Sequence, residues 1–171
     1  MDYIIRSVKV DDAQNILNYV QQVATESDNL TFGEGEFNMT LEEEEKFIEG
    51  LISSDNEVMF IAEKDDQIIG QIHYSGGKRN RTKHYGEFGI TVKNECWGKG
   101  VGKSLIQEMI KWAEASRYCE KINLKVRDDN YKAITLYRKM GFKVEGLLKK
   151  DMKINGVFVD NLFMGLDIKK H

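Results

Sequence analysis

The residues best suited to chemistry in this sequence lie between Ile90 and Ser104, where glycines recur at every second position. Gly98, Gly100 and Gly102 follow a short apolar segment and precede an amphipathic one. A glycine-rich turn between a strand and a helix exposes backbone N–H groups and the positive end of a helix dipole, and it lets a phosphate approach the backbone. The segment is therefore predicted to bind a phosphate-bearing ligand.

The spacing of these glycines excludes two common phosphate-binding motifs. A P-loop that ends at Gly102 needs a glycine five positions earlier, where this sequence has Trp97. A dinucleotide fingerprint needs the pattern G-x-G-x-x-G after an opening strand, whereas Gly98, Gly100 and Gly102 alternate and lie past the middle of the chain. The phosphate-bearing ligand is therefore predicted to be held by a loop of another kind.

A second segment with a recognisable pattern runs from Asn130 to Phe142. Its Asn, Ala, Leu-Tyr and Gly-Phe residues stand at positions 130, 133, 136–137 and 141–142. Together with the glycine loop, this segment resembles the GNAT superfamily of N-acetyltransferases, whose acyl-CoA loop has Gln or Arg, two residues, Gly, one residue, then Gly or Ala. Gly100 and Gly102 match that loop, and Trp97 stands in the position of Gln or Arg. The resemblance extends over most of the chain.

The resemblance implies that acetyl-CoA is the co-substrate and indicates which residues bind it. The implied binding residues are Ile90, Thr91, Val92, Trp97, Gly98, Lys99, Gly100, Val101, Gly102, Lys103, Ser104, Asn130, Ala133 and Tyr137. In the superfamily the Asn lies near the cofactor arm, and the Tyr hydroxyl protonates the departing CoA thiolate. Tyr137 is therefore the predicted general acid, and a core tyrosine that packs on the sheet is the alternative. For Lys99 and Lys103, contact with CoA phosphates and solvation of the loop are both open.

Acetyl transfer also requires a base and a donor to the developing oxyanion. An alkyl amine with a pKa of about 10 is mostly protonated at pH 7, so a group must remove its proton. Glu87, on the strand that leads into the glycine loop, is the predicted base, with an exposed glutamate without a role as the alternative; Glu145 is the second choice. A backbone N–H near Val92 is the predicted oxyanion donor. Cys96 and Cys119 have no evident histidine partner in the sequence, so direct transfer is predicted.

The predicted acceptor is the primary amine of a small molecule or a peptide. Superfamily members that act on a ribosomal protein have the sequence Leu-Glu-Val on the strand before the Asn segment, and that Glu is implicated in their catalysis. This chain has Leu124-Lys125-Val126 at that place. A lysine cannot replace the carboxylate, so a ribosomal protein is disfavoured as the acceptor. Amino acids and polyamines stay open, and Glu34 and Glu36 slightly favour a cationic acceptor. The alternative function is a catalytically silent acyl-CoA-binding module that acts through protein contacts.

Composition and charge predict a soluble, folded protein of one domain. The 171 residues fit one domain, predicted over 1–171, and 41% hydrophobic with 31% charged residues is an ordinary globular composition. A net charge of −3 provides no field for a nucleic acid. No apolar run is long enough to cross a bilayer, so no membrane contact and a cytoplasmic location are predicted. A homodimer stays open as the oligomeric state.

The three scattered histidines and two cysteines predict no metal site, and His73 and His84 are predicted at the surface.

The elements that position these residues can be inferred from hydrophobic periodicity. Strands are predicted at 3–8, 58–62, 68–74, 86–92 and 122–126, with two more strands between 142 and 166 that turn at Asn155-Gly156. Helical spacing begins at Asp11, and Thr40 with Glu43 forms a capping box for a second helix. The predicted fold is α/β (α+β), with a mixed, mostly antiparallel central sheet flanked by helices. Residues 27–39 show no clear period, and the resemblance assigns them to the acceptor pocket.

Overall fold

The computed structural model describes residues 2–169 and has one seven-stranded sheet flanked by helices. The strands are β1 (Ile4–Ser7), β2 (Glu57–Lys64), β3 (Gln67–Gly76), β4 (Tyr85–Val92), β5 (Lys121–Arg127), β6 (Lys143–Ile154) and β7 (Val157–Asp167). The helices are α1 (Ala13–Glu26), α2 (Leu41–Ile52), α3 (Val101–Ala115) and α4 (Tyr131–Lys139). The strand order is β1-β2-β3-β4-β5-β7-β6, and β4–β5 is the parallel pair in an otherwise antiparallel sheet. The predicted fold class is confirmed.

The predicted capping box opens α2. The Thr40 hydroxyl accepts a hydrogen bond from the Glu43 N–H at 3.2 Å, and the Glu43 carboxylate accepts one from the Thr40 N–H at 2.8 Å. Hydrogen bonds from the Thr40 backbone and hydroxyl lower the pKa of Glu43. The glutamates of the first turn, Glu42, Glu43 and Glu44, thus complement the positive end of the helix dipole.

Two tight turns match the hairpins that the sequence predicts. Asp65 and Asp66 adopt φ values of 49° and 61° between β2 and β3. Asn155 and Gly156 adopt φ values of 48° and 81° between β6 and β7. Consecutive residues with positive φ form the turn whose twist suits a two-residue hairpin, and Asn-Gly is the favoured pair. Gln67, directly after the first turn, already belongs to β3, which begins one residue before the predicted strand at 68–74.

The sheet separates two hydrophobic layers. On one face α3 and α4 pack against residues such as Ile72 and Phe88. On the other face α1 and α2 pack against Met59 and Ile61. Side chains alternate between the faces along each strand, so neighbouring residues of β4 serve different layers. Within residues 2–169, no helix is both long enough and apolar enough to span a bilayer.

The feature that positions the site is a split in the sheet. The parallel pairs Tyr85–Lys121, Gly86–Ile122 and Glu87–Asn123 join β4 to β5. Although β4 continues to residue 92 and β5 to residue 127, no further pair joins them in the part of the chain that the structure describes. The two strands therefore diverge after Glu87 and leave a wedge between their carboxyl ends.

Candidate active site

A cavity of about 2100 Å³ occupies the split between β4 and β5. Most of the predicted site residues line it: Glu87, Ile90, Thr91, Val92, Trp97, Gly98, Gly100, Val101, Gly102, Lys103, Asn130, Ala133 and Tyr137. The structure thus brings together residues that are separated in sequence by the whole of α3 and β5. A cavity of this size can admit a long cofactor and a second small molecule.

Three predicted residues lie elsewhere. Lys99 borders a smaller cleft of about 270 Å³. The Ser104 hydroxyl forms a hydrogen bond of 2.8 Å with the hydroxyl of Tyr3. The second candidate base, Glu145, forms an ion pair with Lys121 at 2.8 Å. Among the two loop lysines, Lys103 is therefore better placed for contact with a ligand in the cavity.

The edge of β4 that faces the cavity presents backbone donors. The Lys93 N–H donates to the Ile69 carbonyl at 3.0 Å, in register with the β3–β4 ladder. Bonded pairs alternate along an antiparallel ladder, so the odd-numbered residues of β4 bond to β3. The N–H groups of Phe88, Ile90 and Val92 point to the opposite edge. That of Phe88 belongs to the last β4–β5 pair, and those of Ile90 and Val92 face the split. The sequence prediction of an oxyanion donor near Val92 falls on these two groups.

The loop that follows β4 has the backbone geometry of an anion site. Gly98 and Gly100 adopt φ values of 73° and 89°, where a side chain would be strained. Gly100 is the N-cap of α3, and its carbonyl accepts the Ser104 N–H at 3.0 Å. In an α-helix the N–H groups of the first turn have no intrahelical acceptor. The N–H groups of residues 101–103 are thus available to a phosphate at the positive end of α3.

Trp97 stabilises this loop from the position where the family pattern has Gln or Arg. Its indole Nε1 donates to the Val92 carbonyl at 2.7 Å, while 49% of the residue stays exposed. The loop is also attached to α1, because the Glu26 carboxylate accepts the Asn94 N–H at 2.7 Å. The departure from the pattern therefore replaces a polar side chain with one that fastens the loop to β4.

Tyr137 lies at the inner end of the cavity. Only 7% of the residue is exposed, and its ring contacts Phe88 and Phe142 edge-on at centroid distances of 5.9 and 6.0 Å. Burial raises the pKa of Tyr137 to about 12. The residue is both a core tyrosine and a cavity-lining one, and its hydroxyl keeps its proton at neutral pH.

Asn130 determines where α4 begins. Its side-chain carbonyl accepts the Ala133 N–H at 3.2 Å, so it is the N-cap of this helix. Asn130 also lines the cavity. Asn130 therefore has a structural role, the start of the helix that presents Tyr137, in addition to the cofactor contact that the resemblance implies.

The sequence profile of the acetyltransferase (GNAT) family matches residues 21–142, which is most of the chain. The chain belongs to this family. The match includes the glycine loop, the β4–β5 split and α4, and the predicted resemblance is confirmed.

Two kinds of relatives support the assignment of this GNAT protein. It is 35% identical over 100 residues to the L-amino acid N-acetyltransferase AaaT of Escherichia coli, a match that spans 58% of this chain and 62% of that protein. A GNAT-family acetyltransferase from Streptococcus pneumoniae has the same fold, with a TM-score of 0.95 at 30% identity over 98% of this chain and 100% of that one. A phosphinothricin acetyltransferase from Sinorhizobium meliloti, solved in complex with acetyl-CoA, shares the fold with a TM-score of 0.84 at 20% identity, over 98% and 89% of the two chains.

The part of the cavity next to β3 contains a residue whose position the sequence did not predict, His73. His73 of β3 pairs with Gly89 of β4 and lines the cavity. The prediction that His73 is a surface residue is wrong, because α2 covers it: the Phe47 ring contacts the imidazole edge-on at 5.4 Å. Its Nε2 is buried and has no hydrogen-bond partner within residues 2–169. Burial lowers the pKa of His73, opposed by the charge of Glu57, so the imidazole is neutral at pH 7.

Two other residues that the sequence analysis names, Glu87 and His84, are both exposed. Glu87 is exposed and lines the cavity at the last β4–β5 pair, on the face that α1 and α2 cover further along the sheet. His84 is exposed, as predicted. Alternation along β3 was the signal for His73, because it places this residue on the face of Met59 and Ile61, which the helices bury.

Proposed function

We propose that this protein transfers an acetyl group from acetyl-CoA directly to a primary amine of a small molecule or peptide. The observation that carries the proposal is the split between β4 and β5, which has an anion-binding loop at its outer end and Tyr137 at its inner end. A cofactor with a phosphate at one end and a reactive thioester at the other fits this arrangement.

Specific groups of the chain would hold acetyl-CoA. The N–H groups of residues 101–103 suit the pyrophosphate, and Lys103 adds a positive charge beside them. The Val92 N–H, on the free edge of β4 next to this loop, suits an amide group of the pantetheine arm. Bound acetyl-CoA supplies an activated thioester, and the residues below act on it or on the acceptor.

The transfer then requires three proton movements. Glu87 accepts a proton from the acceptor ammonium, and the freed nitrogen forms the C–N bond to the acetyl carbon. The Ile90 N–H, nearer than that of Val92 to Tyr137 along β4, donates to the carbonyl oxygen as negative charge develops on it. As the C–S bond breaks, Tyr137 gives its proton to the thiolate. The nitrogen, which still carries two hydrogens, loses one to the tyrosinate, so the amide forms and the Tyr137 hydroxyl is restored. A pKa of about 12 for Tyr137 supports this role, because the acid form is present at pH 7.

Direct transfer is favoured over an acetyl-enzyme. Cys96 and Cys119 are both buried in the hydrophobic layer of α3, and a buried thiol in apolar surroundings is a poor nucleophile. The Escherichia coli relative acts on L-amino acids by its name, which supports a small amine as the acceptor.

The proposal can be tested with a thiol-release assay. Acetyl-CoA is mixed with the protein and with L-amino acids, spermidine, aminoglycosides and short peptides, and free CoA is measured. Turnover with any class supports the proposal and identifies the acceptor. A parallel calorimetric titration measures CoA binding. Binding without turnover on the whole panel supports the silent acyl-CoA-binding module instead, and the absence of CoA binding overturns both functions.

A further inference from the structure

We propose that Lys125 binds an anionic group of the acceptor, so that the acceptor is a compound with both an amine and a carboxylate, such as an α-amino acid. The proposal rests on the N-acetyltransferase function proposed above and specifies its acceptor class. The observation is that Lys125 and Glu87 lie on one face of the sheet across the split, beside open space over Gly89.

The strand register fixes this juxtaposition. Glu87 pairs with Asn123, and Lys125 follows Asn123 by two positions, so its side chain leaves the same face as that of Glu87. Gly89 has the corresponding position on β4, and a Cβ added to it would meet no atom within 4 Å. A small molecule can therefore lie over Gly89, with an acidic side chain from one strand and a basic one from the other.

Lys125 is available to an anion. Its side chain is 41% exposed, and its ammonium lies 3.7 Å from the Asp151 carboxylate, which is beyond hydrogen-bond distance. Asp151 is itself held by the Asn161 amide at 2.8 Å. A carboxylate ligand can accept a hydrogen bond from the Lys125 ammonium. Such a charge-assisted hydrogen bond is stronger than the Lys125–Asp151 ion pair at 3.7 Å.

The next basic residue on β5 is committed to the fold. Arg127 donates two hydrogen bonds to the Asp129 carboxylate, at 2.9 and 2.7 Å, and one to the Asp28 backbone carbonyl at 3.1 Å. Its guanidinium therefore joins the β5–α4 connection to the loop after α1. Of the two cations that this strand presents to the cavity, Arg127 is held by three hydrogen bonds, whereas Lys125 has a loose ion pair at 3.7 Å.

Two acidic residues that line the cavity, Glu26 and Glu36, accept hydrogen bonds from the backbone. The Glu26 carboxylate holds the Asn94 N–H, and the Glu36 carboxylate holds the Gly33 N–H, each at 2.7 Å. Glu87 lies at the last β4–β5 pair, on the same face as Lys125, whereas Glu34, which also lines the cavity, belongs to the loop before α2. An amino acid can place its amine at Glu87 and its carboxylate at Lys125, whereas a polyamine would bring a second positive charge against Lys125.

The test compares acceptors that differ only in this anion. L-Leucine and L-leucinamide, L-methionine and L-methioninamide, and spermidine are assayed by thiol release with the wild-type protein, Lys125→Met and Lys125→Glu. We expect Lys125→Met to raise the KM for the free amino acids by about tenfold to a hundredfold, with little change in kcat or in the KM for the amides. Lys143→Met, an exposed lysine at the start of β6, is the matched control.

Each outcome has one meaning. A wild-type preference for the amides or for spermidine over the amino acids overturns the proposal, as does an equal loss for acids and amides in Lys125→Met. If no amine turns over, calorimetric titration of L-leucine and L-leucinamide into the CoA-saturated protein replaces the assay. A Lys125-dependent preference for L-leucine then supports this inference while the proposed catalysis fails, and the absence of L-leucine binding overturns it.

Discussion

The proposed function divides the cavity into a cofactor side and an acceptor side, and these two sides offer different groups to a ligand. The proposed cofactor side consists of the loop after β4, the first turn of α3 and the edge of β4, which all offer backbone N–H groups. The proposed acceptor side offers side chains from separate strands, among them His73, Glu87 and Lys125. Backbone recognition requires particular local conformations, and side-chain recognition requires that distant residues meet.

This difference predicts how each side responds to substitution. A change at a cofactor-side glycine alters backbone conformation and should abolish binding. A change at an acceptor-side residue removes one contact among several and should change selectivity or rate. The following experiments test this contrast, and the first should have the largest effect.

Gly100→Glu is expected to weaken CoA binding by about a hundredfold or more. A φ of 89° costs a side chain roughly 1–2 kcal/mol, and the new carboxylate would repel the CoA phosphates at the start of α3. Calorimetric titration with CoA measures the effect. Gly35→Glu is the control, because Gly35 has a φ of 76° in the loop before α2 and adds the same charge away from α3. Unchanged CoA affinity in Gly100→Glu would rule out the loop as the phosphate site.

Tyr137→Phe is expected to lower kcat by about 10² and to leave CoA affinity unchanged, because only the proton donor is lost. Steady-state thiol release measures the rate, and Tyr118→Phe, a partly buried tyrosine that contacts Lys83, is the control. If kcat is the same in both variants, the leaving thiolate receives its proton from elsewhere.

Since the pKa of Tyr137 is raised to about 12, the acid form persists as pH rises, and this group should cause no fall in kcat between about pH 7 and 10.

Glu87→Gln is expected to lower kcat/KM by about tenfold at pH 7, a smaller loss because water can also accept the proton. The deficit should shrink as pH rises toward about 10, where more of the acceptor amine is already neutral. Rates across this pH range test the idea, with the exposed Glu114→Gln of α3 as the control. A deficit that is constant with pH would contradict the role of Glu87 as the base.

Thr40→Ala is expected to have the smallest effect, a loss of about 1 kcal/mol in the free energy of unfolding. The substitution removes the hydroxyl that accepts the Glu43 N–H and so loosens the start of α2, next to the acceptor-side loop. Denaturant unfolding measures the stability, and CoA affinity should stay constant. Thr25→Ala, whose hydroxyl bonds the Gln22 carbonyl within α1, is the control. Weaker CoA binding in Thr40→Ala would show that the two sides are coupled.

The same difference explains what the sequence could predict. The glycine loop and the Asn130 segment were recognisable because positive φ values and a helix N-cap restrict residue types at fixed spacing. Alternation of apolar and polar residues predicted most strands, the spacing of Thr40 and Glu43 predicted the capping box, and the Asn155-Gly156 pair predicted the last turn. These are local effects, and local effects leave a pattern in a single sequence.

The acceptor side could not be predicted to the same depth. The separation of β4 from β5 depends on which residues pair across a gap that contains α3, and periodicity contains no such information. His73 was misassigned because its burial comes from Phe47 of α2, a contact between distant segments. Lys125 was noted only as a departure from a family motif, and its position across from Glu87 emerged from the strand register.

The hydrogen bond between Trp97 and the end of β4 has an optical consequence. The sequence contains two tryptophans, and the other, Trp112, is half-buried with its ring 5.2 Å from that of Tyr74. Trp97 is exposed, lines the cavity and is held on a carbonyl of the strand that borders it. Its intrinsic fluorescence should therefore change when a ligand displaces water from the loop, while the emission of Trp112 stays constant. Cofactor binding to the natural protein can thus be followed in real time without a label.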